Sequence, residues 1–235
     1  MTQAPGIERW MLEAPRVKLP ASALDAFQTA FQTRDLTLLP PGVPRWLFLE
    51  WLAREGWLLH GSPRADIQTF EARTPHDLSG DPFSGRTGVF ASSDGLWALM
   101  YALRDKTRVK RMLNMALQRR GETGQWSTVR YFLSLAPHDR GGEVQPRVQP
   151  TDGRALLRPG SVYVLPPGGF EQIPPYVWPG VGEVQEPQWI NPNPVRPVLR
   201  VPLSPADFPL AVRTHHADTI DARCEADPWG FPWLD

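Results

Sequence analysis

Gly56-Trp57-Leu58-Leu59-His60-Gly61-Ser62-Pro63 is the stretch on which the reading turns. Residues 57–60 are bulky and apolar up to the histidine, the composition of a short buried strand, and Gly-Ser-Pro behind them has the chemistry of a turn. A second run of the same kind follows, Gly88-Val89-Phe90-Ala91-Ser92. Ser93 or Asp94 then offers an N-cap to a helix in which Leu96, Leu99, Met100 and Leu103 share a face, with Trp97 and Tyr101 beside it. Strand, polar loop, strand and aromatic-bearing helix therefore succeed one another.

Upstream, Leu24, Phe27 and Phe31 recur at i, i+3 and i+7, which predicts an amphipathic helix from Ser22, its candidate cap. Pro40, Pro41 and Pro44 stop it, and residues 43–55 predict a second helix ending at Gly56. Residues 1–20 hold three prolines and little periodicity, so an extended N-terminal arm, dispensable for core folding, is expected there.

Downstream, Arg104, Lys106, Arg108, Lys110, Arg111, Arg119 and Arg120 accumulate against Asp105 alone. They read either as a solvated helix face or as a patch for an anionic ligand or RNA. Residues 129–135, 161–165 and 198–201 are strand candidates between Pro/Gly loops. The expectation is an α+β fold with a largely antiparallel or split sheet, residues 21–235 forming one domain whose helices at 21–55 come first.

The chain of 235 residues is 41% hydrophobic, with ten Trp and ten Phe, enough large apolar surface for a substantial core. Basic and acidic residues both number 25, so no global charge calls for a polyanionic partner. A lone Cys224 makes no internal bridge, the N-terminus lacks the pattern of a secretory signal, and no apolar run approaches a bilayer span. A cytoplasmic protein without a membrane partner is expected.

No phosphate loop, strand-linked GxGxxG, HExxH, paired CxxC or GxSxG occurs. His215 and His216 are adjacent, point to opposite sides of any regular element and lack a third ligand at metal spacing, so they read as loop residues and no metal site is expected.

What remains is WLLHGS, GVFASS and the helix bearing Tyr101. This arrangement, over residues 57–103 with a weaker echo at 162–208, resembles the ADP-ribosyltransferase superfamily, including poly(ADP-ribose) polymerases and RNA 2′-phosphotransferases. The resemblance implies a split antiparallel β-sheet with flanking helices and NAD bound as a substrate. It implies that His60 contacts the adenosine ribose, that the Gly61 backbone holds the nicotinamide amide beside Ser62, and that Phe90 and Tyr101 belong to the same site, with Tyr101 stacked on the nicotinamide ring. The family's third element is a Glu, Asp or Gln at the start of a later strand. Gln188, before Trp189-Ile190, is the first choice for it, with Glu186 and Glu171 as alternatives.

Cleaving the nicotinamide bond passes through an oxocarbenium-like species, which a carboxylate stabilises and a neutral Gln only hydrogen-bonds. The expected activity is transfer of ADP-ribose from NAD to an acceptor, a glycosyltransferase-class transferase reaction, the acceptor being protein, nucleic acid or small molecule. A non-catalytic nucleotide- or protein-binding module of the same fold is the alternative, and RNA 2′-phosphate transfer, with the Arg-rich segment 104–120 on the phosphates, is a third.

Overall fold

The computed structural model describes residues 7–75, 81–138 and 153–234. Helix α1 (Ala21–Thr33) buries Ala23, Phe27 and Ala30, and its N-cap is Pro20, without a side-chain cap. The expected stripe is therefore displaced. Ser22 lies inside the helix, and Leu24 is 41% exposed because positions 23, 27 and 30 share the inward face. Helix α2 (Arg45–Arg54) follows Pro44, where the missing N–H forfeits no helical bond, and the chain reverses at Gly56, whose φ of +86° suits glycine. Aromatic rings join the two helices, with centroids 5.3 Å apart for Phe27 and Phe48, and Phe31 of α1 packs on Trp57 at 4.9 Å.

The strands are β1 (Leu12–Glu13), β2 (Leu58–Ser62), β3 (Val89–Ser92), β4 (Val109–Arg119), β5 (Arg130–Pro137), β6 (Gly160–Leu165), β7 (Glu171–Gln172), β8 (Tyr176–Trp178), β9 (Gly182–Gln185), β10 (Gln188–Asn191), β11 (Leu199–Leu203) and β12 (Arg213–Thr214). Helix α3 (Gly95–Leu103) follows β3, and α4 (Asp218–Ala226) follows β12. One sheet has the order β11-β6-β2-β3-β10-β7 and is antiparallel. The other runs β1-β5-β4-β9-β8, also antiparallel, with β12 laid parallel along β5. The class is α+β. No helix among the described residues is long and apolar enough to cross a membrane.

The second sheet is covered on both faces, which the period of two makes visible. Tyr131, Leu133 and Leu135 of β5 join the main core with α1, α2 and α3, while Phe132 between them joins Leu113, Met115 and Leu117 of β4 under Phe231 and Trp233. Two-sided burial also explains why the basic segment hid a strand. Of the two readings of the basic segment, the helix face does not hold for residues 109–119: they form β4, and its apolar positions show no single-face rhythm.

Two further expectations change. β2 does not turn at Gly61 but continues through Ser62, paired with Val162 and Ser161 of β6. Residues 1–6 of the N-terminal arm lie outside the described residues; 7–20 are mostly extended but packed, with Ile7 and Met11 buried against the Phe132 and Trp233 cluster and β1 paired with β5.

Candidate functional site

Strands β2 and β3 meet through one register pair, Leu59 opposite Ser92. Beyond it they part, while β2 keeps pairing with β6 and β3 with β10 along their other edges. The His60 imidazole spans the gap, with Nδ1 2.6 Å from the carbonyl oxygen of Phe90. A carbonyl only accepts, so Nδ1 carries the proton, and Nε2 of the neutral ring remains an acceptor. Burial holds the ring's pKa below its usual value; the Phe90 bond opposes this, and the charges of Lys106 and Arg73 add to it. Phe70, tied by backbone to Val195, packs its ring 4.3 Å from the imidazole.

Gly61 has a steric duty besides any toward a ligand. A Cβ there would fall on the carbonyl oxygen of Ala98 and 2.7 Å from the nitrogen of Ala102, both in α3, and one on Gly160 of β6 would meet the Ala102 carbonyl. The helix thus lies backbone to backbone on β2 and β6. Its axis is fixed at the other end as well. Asp94 caps it, accepting from Trp97 N at 2.8 Å and from the Tyr131 hydroxyl at 2.6 Å, and Glu50 Oε1 accepts from Gly95 N and Leu96 N. Burial pushes both carboxyls above their ordinary range, and the Asp94 charge pushes Glu50 further. So held, α3 presents Tyr101, 41% exposed, edge-on to Trp97.

Gln188 begins β10 opposite Ser92, and its buried amide exchanges hydrogen bonds with Ser84 Oγ at 3.2 and 3.3 Å. Ser84 N donates to Asp81 Oδ1 at 2.8 Å, and Asp81 Oδ2 is buried without a hydrogen-bond partner among the described residues. Glu186, also buried, accepts from the Tyr176 hydroxyl at 2.6 Å.

These groups line one cavity of about 1050 Å³. His60, Gly61 and Ser62 of β2 reach it, as do Phe90 of β3 and Tyr101 of α3. Glu186 and Gln188 reach it from the start of β10, together with Asp81 and Ser84. Glu171 does not. It lies on β7, exposed, in a 2.9 Å ion pair with Arg86 whose hydrogen bond holds its pKa below the usual carboxylate value.

Asp81 and Ser84 were not singled out in the sequence, although Asp-Pro-Phe-Ser is a turn signature in which the Asp side chain binds the backbone ahead of it. Of the Arg-rich segment, Arg104, Lys106, Lys110 and Arg111 line the cavity, while Arg108, Arg119 and Arg120 do not. Lys110 pairs with Asp218 at 2.6 Å, Arg111 with Asp221 at 2.7 Å and Arg120 with Glu183 at 3.1 Å. His215 is no solvated loop residue: it is buried, its Nδ1 lies 2.9 Å from Ser134 Oγ, and burial lowers its pKa to about 4. No group of three or more His, Cys, Asp or Glu among the described residues is placed to hold a metal ion.

Comparison with protein-family models, with curated proteins and with solved structures finds no match.

Proposed function

We propose that the protein takes NAD as a substrate and transfers its ADP-ribose unit to an acceptor, on an ADP-ribosyltransferase-like split sheet. The observation that carries the reading is the convergence of the His60-Gly61-Ser62 strand end, Tyr101 and the polar start of β10 on one cavity at the place where β2 and β3 part. Its volume of about 1050 Å³ sits at the top of the usual range for ligand pockets, roughly 300–1,000 Å³.

In this reading Nε2 of His60 accepts from a ribose hydroxyl, the exposed ring of Tyr101 stacks on nicotinamide, and the bond between ribose C1′ and the nicotinamide nitrogen breaks with its electron pair leaving on nicotinamide. The cationic ribose that remains is stabilised by a carboxylate. Gln188 lacks that charge, so the work falls to Glu186 or Asp81 beside it. An acceptor oxygen or nitrogen then bonds to C1′ and releases its proton.

The test is calorimetric titration with NAD together with a nicotinamide-release assay. NAD heat with release supports the enzyme. The neutral amide of Gln188 favours a second reading, a nucleotide-binding module that turns nothing over, and NAD heat without release selects it. Neither heat at millimolar NAD nor release overturns both.

A further inference from the structure

Three cations on the cavity wall have no carboxylate within ion-pairing distance among the described residues: Arg73, Arg104 and Lys106. Their neighbours are matched, Arg64 with Asp66 at 2.9 Å and Arg158 with Asp105 at 3.8 Å. The three come from separate places. Arg73 is tethered by its backbone to Gly88 before β3, Arg104 terminates α3 opposite Leu157, and Lys106 sits in the turn before β4.

All three line the cavity that His60 also reaches. Burial lowers the pKa of Lys106 first, and the charges of Arg104, Arg73 and Arg158 lower it further; burial likewise lowers that of Arg104. Arg73 and Lys106 also bear on His60. The negative end of α3 accounts for the cation at its C-cap, Arg104, but not for Arg73, which belongs to another segment. Like charges gathered and partly desolvated without a counter-charge weaken the fold unless an anion joins them. The flanking acceptor, Nε2 of His60, asks for a hydroxyl on the same ligand.

We propose that Arg73, Arg104 and Lys106 form a binding site for the phosphates of a nucleoside diphosphate, whose ribose hydroxyl reaches His60. The assignment does not depend on NAD cleavage, because a nucleoside diphosphate has no nicotinamide. Phosphate oxygens accept charge-assisted bonds from all three side chains, which are about twice as strong as neutral ones.

The experiment is calorimetric titration of the full chain with ADP, adenosine and inorganic pyrophosphate. ADP is expected to bind, adenosine to bind about tenfold or more weakly, and pyrophosphate to displace ADP. Arg104→Gln combined with Lys106→Gln should weaken ADP binding by about tenfold or more with unchanged thermal melting, while Arg158→Gln stays within about twofold. Absence of ADP heat, adenosine as tight as ADP, or a folded double variant with wild-type affinity overturns the site. If the double variant does not fold, pyrophosphate competition on the wild-type protein decides alone, and failure to compete overturns it. A single-stranded RNA bound more tightly than ADP, with affinity falling steeply in salt, overturns the nucleoside diphosphate assignment.

Discussion

His60 Nδ1 lies 2.6 Å from the carbonyl oxygen of Phe90, so the side chain that bridges β2 and β3 also fixes which ring nitrogen is left for a ligand. His60→Ala should weaken NAD binding by about tenfold, since a hydrogen bond to a ribose hydroxyl contributes about 1–2 kcal/mol. Calorimetry gives the affinity, and circular dichroism should show the fold retained. Undiminished affinity would remove His60 from the site.

Gln188→Ala and Asp81→Asn probe the other side of the cavity. Gln188→Ala should leave NAD affinity within about twofold while slowing nicotinamide release. Asp81→Asn keeps an oxygen for Ser84 N but loses the charge of a carboxylate whose other buried oxygen has no partner among the described residues. It should lower kcat by about tenfold or more with KM little changed, as expected for a group acting on the cationic transition state. A kcat equal to wild type would assign the charge to Glu186.

Gly61→Ala should be among the most damaging single-methyl additions in the chain. The new carbon meets backbone of α3, which has no rotamer through which to yield, and a cost of about 3 kcal/mol or more is expected. Gly85→Ala is the control, since its nearest neighbour is 3.9 Å away and a change within about 0.5 kcal/mol is expected. Urea unfolding of both variants measures the contrast.

Stability should depend on pH with two opposed contributions. His215 titrates near 6.5 when unfolded and about 4 when folded, so the unfolded chain binds more protons between those values. Its contribution is complete above pH 6.5 and is lost as pH falls toward 4, by on the order of 2–3 kcal/mol. Glu50 runs the other way. Its folded pKa is raised by burial and by Asp94, so stability declines as pH rises above the ordinary 4.5. Melting curves across pH for His215→Gln and Glu50→Gln should each lose one limb of the profile.

Deleting residues 1–20 should lower the melting temperature by about 5–10 °C, because it strips Ile7 and Met11 from the aromatic cluster and β1 from the edge of β5. An unchanged melting temperature would show that these contacts contribute nothing net.

The parts of the fold legible in the sequence were those with dense local signals. The apolar run before His60, the Asp94 cap with its buried helix face, and the proline that opens α2 each carry their meaning within a few residues. Strands β7, β8 and β9 are two to four residues long in a proline-rich stretch, too short for any period to register. The start of β10 was readable at Gln188, but the candidates near it were not separable by composition. Glu171 and Glu186 look alike in sequence, yet one faces solvent with Arg86 and the other is buried under Tyr176. Asp81 carries no local signal of its place in the cavity, because its link to Gln188 runs through Ser84, a relation of distant segments.

The contact of Gly61 and Gly160 with Ala98 and Ala102 makes α3 part of the thickness of the sheet, not a body resting upon it. Where side chains intervene between helix and strand they act as a cushion, and a bulky guest can compress them. At Gly61 and Gly160 no cushion exists, so the backbone of α3 at Ala98 and Ala102 does not recede. If a ring stacks on Tyr101 as proposed, a flat one would fit against this wall, and one bearing an extra substituent on its face would be turned away at steric cost. Adaptation to a different guest would come from the loops that carry Arg73 and Asp81.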